Sequence, residues 1–266
     1  MSETLQNDFK DFHIVRLIGR GGMSVVYLAE QKSLGRKVAL KVMAPALADD
    51  PQFRERFERE SRTAASLDHP NVIPIFEAGE AEGVLYIAMR YVEASDLRTL
   101  LKRLGQLPVE RVLSILGQVA GALDAAHARG LVHRDVKPAN VLVVPATVPG
   151  TIDHAYLADF GLTRTAEGRT GLTQTGHFVG TVDYAAPEQI YGNDIDGRTD
   201  QYALGCMLFE CLTNTVPFQK NSNVAVIYAH VNDAPPKATE RRADLPAAID
   251  DVIAKSMSKE KEDRYA

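Results

Sequence analysis

Several things are scarce in this sequence, and each scarcity excludes something. Only two of its 266 residues are cysteine, Cys206 and Cys211, too few for a disulfide scaffold. No stretch approaches 18 consecutive apolar residues, so nothing reads as a bilayer span. Met1 to Lys10 is polar and carries acids, unlike a secretory leader. Positive charge is not in excess. Thirty Lys and Arg stand against 35 Asp and Glu, a formal net charge of −5, which argues against a general nucleic-acid or membrane-surface footprint. Repeats and low-complexity tracts are absent. What remains is a globular chain of one or two units, expected to be soluble and intracellular and long enough to bury a sizeable core.

The first third has strand character. Phe12–Ile18, Val25–Ala29, Lys37–Met43, Val72–Phe76 and Val84–Tyr91 are rich in β-branched and aromatic residues, with glycines at 19, 35, 79 and 83 between them. One helix interrupts. Asp49-Asp50-Pro51 is a start signal, and Phe53, Phe57, Ala64 and Leu67 then share one face. Glu60 falls on that same apolar stripe, where a carboxylate is expensive unless a cation meets it.

Beyond Glu93 the pattern turns helical. Ser95 caps a helix carrying Leu97, Leu100, Leu101 and Leu104, and Pro108 opens a longer one ending near Gly130. Short strands are expected at Val141–Val144 and Tyr156–Ala158. Further helices are expected at Asp200–Leu212, Val224–Val231 and Ala247–Met257. Cys206 and Cys211, five apart on the most apolar of these, suit core packing and not a metal pair.

Four features carry chemistry. The first is Gly19-Arg20-Gly21-Gly22-Met23-Ser24-Val25-Val26, a glycine-rich turn between two strands that would let backbone N–H groups approach phosphate oxygens. A dinucleotide-binding loop would open a helix, and a P-loop needs Gly-Lys-Ser/Thr, but the chain has no Gly-Lys step. The second is Lys41 at the end of Val38-Ala39-Leu40-Lys41, with Glu60 on the next helix as its partner. The third is His133-Arg134-Asp135-Val136-Lys137-Pro138-Ala139-Asn140, and the fourth Asp159-Phe160-Gly161. Carboxylate, amide and ammonium together supply a proton acceptor, oxygen ligands for Mg²⁺ and a cation for phosphate.

In this order and context these features resemble the eukaryotic-type (Hanks-type) protein kinase domain. Gly180-Thr181-Val182-Asp183-Tyr184, Ala186-Pro187-Glu188, Asp200 in Arg198-Thr199-Asp200-Gln201-Tyr202, and Arg264 extend the match from Phe12 to Arg264. Gly-Gly-Met-Ser, Pro-Ala-Asn and Thr173-Gln174-Thr175 are most similar to bacterial receptor-like Ser/Thr kinases. The resemblance implies an α+β fold with one kinase domain over 1–266. A small lobe at about 12–92 would have a five-stranded antiparallel sheet and one main helix. A larger, mostly helical lobe would follow at about 93–266, with the nucleotide bound where the two meet near residue 92. The chain stops at Tyr265-Ala266, within what the resemblance makes the final helix, so any juxtamembrane, transmembrane or sensor segment would lie outside this sequence.

The resemblance also implies roles. Asp135 would accept the substrate hydroxyl proton and Lys137 would neutralise the γ-phosphate. Asn140 and Asp159 would hold Mg²⁺. Lys41, paired to Glu60, would contact the α/β-phosphates of ATP beneath Gly19, Gly21 and Gly22. Ile18, Val26 and Ala39 would line the nucleotide site, with Met89 as gatekeeper and Arg90, Tyr91 and Val92 as hinge backbone. Glu188 would pair with Arg264. Lys137 and Thr181 imply Ser/Thr specificity. Thr173 and Thr175 would be autophosphorylated and dock on Arg134. Protein substrates are the expected partners, a homodimer through the small lobe is conceivable, and the expected location is the cytoplasm.

Three departures stand out: Ser24 replaces a third glycine, Arg90 replaces a frequent hinge acid, and Val144–Ala155 is long, suggesting a surface hairpin. Two other functions fit the residues less well. A pseudokinase scaffold conflicts with the full set Lys41, Glu60, Asp135, Asn140 and Asp159. A small-molecule phosphotransferase conflicts with the segment running through Ala186-Pro187-Glu188.

Overall fold

The computed structural model describes residues 8–148, 150–160 and 182–266. They form two compact units. One takes 8–68 and 72–93, the other 69–71, 94–160 and 182–266.

The first unit is an antiparallel sheet with helices. Its strands are β1 (Asp8–Phe9), β2 (Phe12–Arg20), β3 (Ser24–Gln31), β4 (Arg36–Met43), β5 (Ile75–Ala81) and β6 (Val84–Arg90), in the order β1-β2-β3-β4-β6-β5. Helices α1 (Pro45–Ala48) and α2 (Pro51–Ala65) follow β4. Five strands were expected. The sixth, β1, is a two-residue strand whose Phe9 is fully buried edge-on to Tyr86. The fourth expected strand is shifted: it starts at Ile75, after Pro74, and not at Val72. A proline has no N–H for a ladder, and Pro74 contributes only its carbonyl, which accepts from Arg90 N at 3.0 Å. Gly79 lies inside this strand instead of ending it.

Helix α2 starts as expected. Asp50 Oδ1 accepts from Gln52 N at 2.9 Å, with Pro51 at the first helical position. Phe53, Phe57, Glu60 and Ala64 are all buried, so the acid does lie within the apolar stripe.

The second unit is mostly helical. Its strands β7 (Ser95–Asp96), β8 (Val141–Val144) and β9 (His154–Leu157) form a small antiparallel sheet in sequence order. Its helices are α3 (Leu97–Leu104), α4 (Val109–His127), α5 (Pro187–Tyr191), α6 (Gly197–Thr213), α7 (Asn223–Asn232) and α8 (Ala248–Ser256). The cap of α3 is Asp96, not Ser95: Asp96 Oδ1 accepts from Thr99 N at 2.9 Å, and Ser95 pairs with Val143. Helix α6 is buried along most of its length and packs on α4 and α8. Cys206 and Cys211 are free and buried there. Lys261–Asp263 is a 3₁₀ turn, so the expected final α-helix is absent from residues 257–266. The long segment after β8 is a hairpin connection, because Val144 pairs with His154. Asp153 anchors it, accepting from Arg111 Nε at 2.7 Å and from Ala146 N at 3.0 Å.

Candidate active site

In the first unit, register decides which candidates share a face. Directly opposed residues on paired strands point to the same side, as do residues two apart. Val26 opposes Lys41, and Lys41 opposes Ile87; Leu28 opposes Ala39, and Ala39 opposes Met89. Val26, Ala39, Lys41 and Met89 therefore share one face. The opposite face carries the apolar cluster of Val25, Tyr27, Ala29, Val38, Leu40, Val42, Tyr86 and Ala88, covered by Phe9 and Phe12.

The glycine turn is a hairpin whose arms pair at Gly19–Val26 and Arg20–Val25, closed by Gly21 N donating to Ser24 O at 2.8 Å. Added Cβ atoms would meet nothing within 4 Å at Gly22 and only ordinary contacts at Gly19 and Gly21. These glycines are thus not required by internal packing. Without side chains, they leave the backbone of the turn open to close approach. Ile18 lies at a register shift in β2 and is partly exposed. Lys41 and Glu60 are both buried, at 7% exposure each. Tyr91 and Val92 are half-buried in non-repetitive chain after β6, and Arg90 is exposed.

In the second unit the candidates converge. Lys137 Nζ lies 2.7 Å from Asp135 Oδ2. Asn140 Nδ2 donates to Asp135 O at 2.8 Å and to Asp135 Oδ2 at 3.1 Å. With its amide nitrogen so committed, Asn140 has its amide oxygen to offer a cation. Asp159 is brought alongside, since Ala158 N donates to Asn140 O at 2.9 Å. One carboxylate and one amide oxygen are hard donors that fit Mg²⁺, which takes few protein ligands and completes its shell with phosphate and water. Among the described residues no group of three or more His, Cys, Asp or Glu forms a metal cluster.

Two site residues have strained backbones. Arg134 and Asp159 have φ of +67° and +61°, a region unfavourable for residues other than glycine. Neighbours hold Arg134 there: its N donates to Asp200 Oδ1 at 2.7 Å and its O accepts from Gln189 Nε2 at 3.0 Å. Asp200 Oδ2 also accepts from His133 N at 2.7 Å. His133 is fully buried, bonds Ala158 O through Nε2 at 2.9 Å, and packs on Phe160 at 4.9 Å between ring centroids. Glu188 and Arg264 form the expected pair, bidentate at 2.8 and 2.9 Å, with Thr199 donating to Glu188 Oε1 at 2.8 Å.

The motifs assign no role to His133, Gln189 or His127, and Asp200 enters them only as a matching residue. The one sequence signal for Asp200 was an acid opening an otherwise apolar helix. Thr173, Thr175, Thr181 and Gly161 lie outside the described residues.

In the second unit a carboxylate, an ammonium and an amide thus meet, with a second carboxylate beside them. The chain belongs to the protein kinase domain family, whose model matches residues 12–266. It is 44% identical over 260 residues to the serine/threonine-protein kinase PknD of Mycobacterium tuberculosis, covering 97% of this chain and 38% of that protein. It is 46% identical over 257 residues to the serine/threonine-protein kinase PknE of Mycobacterium bovis, covering 97% and 44%. The chain thus spans about two fifths of the length of these curated relatives. The crystal structure of the Mycobacterium tuberculosis PknI kinase domain matches with a TM-score of 0.77 at 35% identity, covering 99% of this chain and 94% of that one. Among the described residues, no helix is long and apolar enough to cross a membrane.

Proposed function

We propose that this chain is an ATP- and Mg²⁺-dependent protein serine/threonine kinase domain acting in the cytoplasm. The observation that carries the reading is the Asp135–Lys137–Asn140 cluster bonded through Asn140 to the strand end before Asp159. The names of PknD and PknE support serine and threonine as acceptors.

The residues then act as follows. Asp135 accepts the proton of the substrate hydroxyl as its oxygen bonds to the γ-phosphorus and the bond to the β,γ-bridging oxygen breaks, releasing ADP. Lys137, held 2.7 Å from Asp135, neutralises charge on the transferring group. Asn140 and Asp159 hold Mg²⁺, which when bound offsets the phosphate charge. Lys41, paired with Glu60, positions the α/β-phosphates, while the Gly19–Gly22 backbone covers them and Ile18, Val26, Ala39, Met89, Tyr91 and Val92 contact the base. Phosphorylation of Thr173 and Thr175 provides the charge that docks on Arg134 and activates the domain.

The test is Mg²⁺/ATP treatment of the protein with a mixed Ser/Thr/Tyr peptide, followed by mass spectrometry. Phosphate on Ser or Thr of the peptide, on Thr173 and Thr175, and its loss in Lys41→Met are expected. Absence of transfer refutes the kinase reading, and transfer to tyrosine refutes its specificity. Full activity of a protein carrying no phosphate at Thr173 or Thr175 refutes the activation step.

A further inference from the structure

Helix α3 carries a cation where its own dipole disfavours one. Arg98 is the second residue of the helix, and no acid shares its first turn. The positive end of the helix dipole lies there, so a cation is unfavourable, whereas Lys102 and Arg103 in the last turn are favoured. The capping carboxylate does not serve Arg98: Asp96 Oδ1 accepts from Thr99 N at 2.9 Å and Oδ2 from Thr99 Oγ1 at 2.8 Å. Leu97, Leu100 and Leu101 hold the helix on the core, while Arg98 and Lys102, one turn apart, are exposed. Among the described residues Arg98 makes no ion pair. Helix stability thus gives no reason for it.

Its surroundings do. Helix α3 packs against the turn at 138–140, whose Asn140 bonds Asp135. Arg98 also lies by the 3₁₀ turn Val182–Tyr184. Burial pushes the carboxyls of Asp183 and of Glu210 on α6 up, and the charge of Arg98 pulls both down. Both carboxyls are recessed. Asp183 is half-buried, and Glu210 accepts from the Tyr184 hydroxyl at 2.5 Å. What a chain arriving from solvent meets between α3 and this turn is the guanidinium. A peptide whose threonine reaches Asp135 extends about 3.3 Å per residue, so side chains a few positions from the acceptor pass Arg98.

We propose that Arg98 selects protein substrates carrying an acidic side chain close to the acceptor threonine. An exposed charge of this kind sets preference among substrates and not the transfer step itself. The proposal rests on the kinase reading above and adds to it the chemical class of substrate.

The test uses threonine peptides that carry Glu, Ala or Lys at each flanking position in turn, with wild type, Arg98→Glu and Arg98→Lys. Wild type should use the Glu peptide about threefold better than the Lys peptide by kcat/KM at one or more positions, the scale of an exposed ion pair. Arg98→Glu should invert that order and Arg98→Lys should keep it. Raised salt should shrink it, and KM for ATP should stay within about twofold in all three proteins. An acid at 98 suits the first turn of a helix, so the inverted variant should fold. If it does not, Arg98→Gln, which should abolish the preference, decides by the same ratio. Equal use of Glu and Lys peptides, a preference for Lys, or a Glu preference that survives Arg98→Glu would overturn the proposal. If wild type transfers no phosphate, the kinase reading fails instead, and peptide binding by fluorescence anisotropy still decides the selection. Tighter binding of a Glu peptide that Arg98→Glu reverses supports it, and equal binding overturns it.

Discussion

A buried charge is tolerated in this chain where its donors are complete, and Glu188 illustrates the consequence. Its carboxylate and the Arg264 guanidinium are 7% and 0% exposed. Burial pushes the Glu188 carboxyl up, but the bonds and charge of Arg264 outweigh it and hold the group below the usual carboxylate range. Removing one partner strands the other in the interior. Arg264→Ala should therefore destabilise the domain by about 3–5 kcal/mol, whereas replacing both members by apolar residues of similar volume should cost less. Denaturant unfolding of the single and double variants checks this, and a single variant milder than the double would contradict it. The pairing was legible because both residues fall in family motifs 76 positions apart. The contact of His127 with Asp200 was not legible: a histidine ending an apolar helix looks ordinary until Asp200 and Gly197 are seen against it.

At the scale of elements, α6 depends on close approach. A Cβ at Gly205 would lie 2.9 Å from Ser256 Cβ and 3.1 Å from Met257 Cγ, so Gly205→Ala should destabilise by about 1–3 kcal/mol through overpacking against the end of α8. Thermal unfolding reads this directly, and an unchanged or raised Tm would contradict it. Helix existence was legible wherever apolar spacing ran over several turns, as in α2, α4 and α6. Ends were less so. Asp96 caps α3 because the helix starts only at Leu97, after both Ser95 and Asp96 have paired with β8, a pairing with residues almost fifty positions away. Strand β5 began late because Pro74 cannot donate, a local cue that hydrophobic content masked. Strand β1 is two residues long, and its burial against Tyr86 depends on strands distant in sequence.

For the whole molecule, pH is the simplest lever. His230 is fully buried and bonded to Tyr202 OH through Nδ1 at 2.9 Å. Burial, and then the charge of Lys259, hold its imidazole down at about 3 from the usual 6.5. The unfolded chain takes up that proton near pH 6.5 and the folded chain only near 3, so the unfolded state binds more protons in between. Stability present above pH 6.5 is lost as pH falls toward 3, at about 1.4 kcal/mol per unit for this one group. Between pH 6.5 and 5, above the range where carboxylates titrate, His230→Phe should flatten that decline; an identical slope in both proteins would contradict the assignment.

The catalytic loop was legible because its chemistry is packed into eight consecutive residues. The groups that hold its strained backbone, Asp200 of α6 and Gln189 of α5, lie 55 to 67 positions away in sequence. Single-turnover transfer from ATP to a threonine peptide, comparing wild type with Asp135→Asn at saturating Mg²⁺ and nucleotide, tests the central claim most directly. Wild type should form phosphothreonine, and Asp135→Asn should transfer about 10²-fold more slowly or worse. Equal rates in the two proteins would contradict the assignment of Asp135 as the proton acceptor.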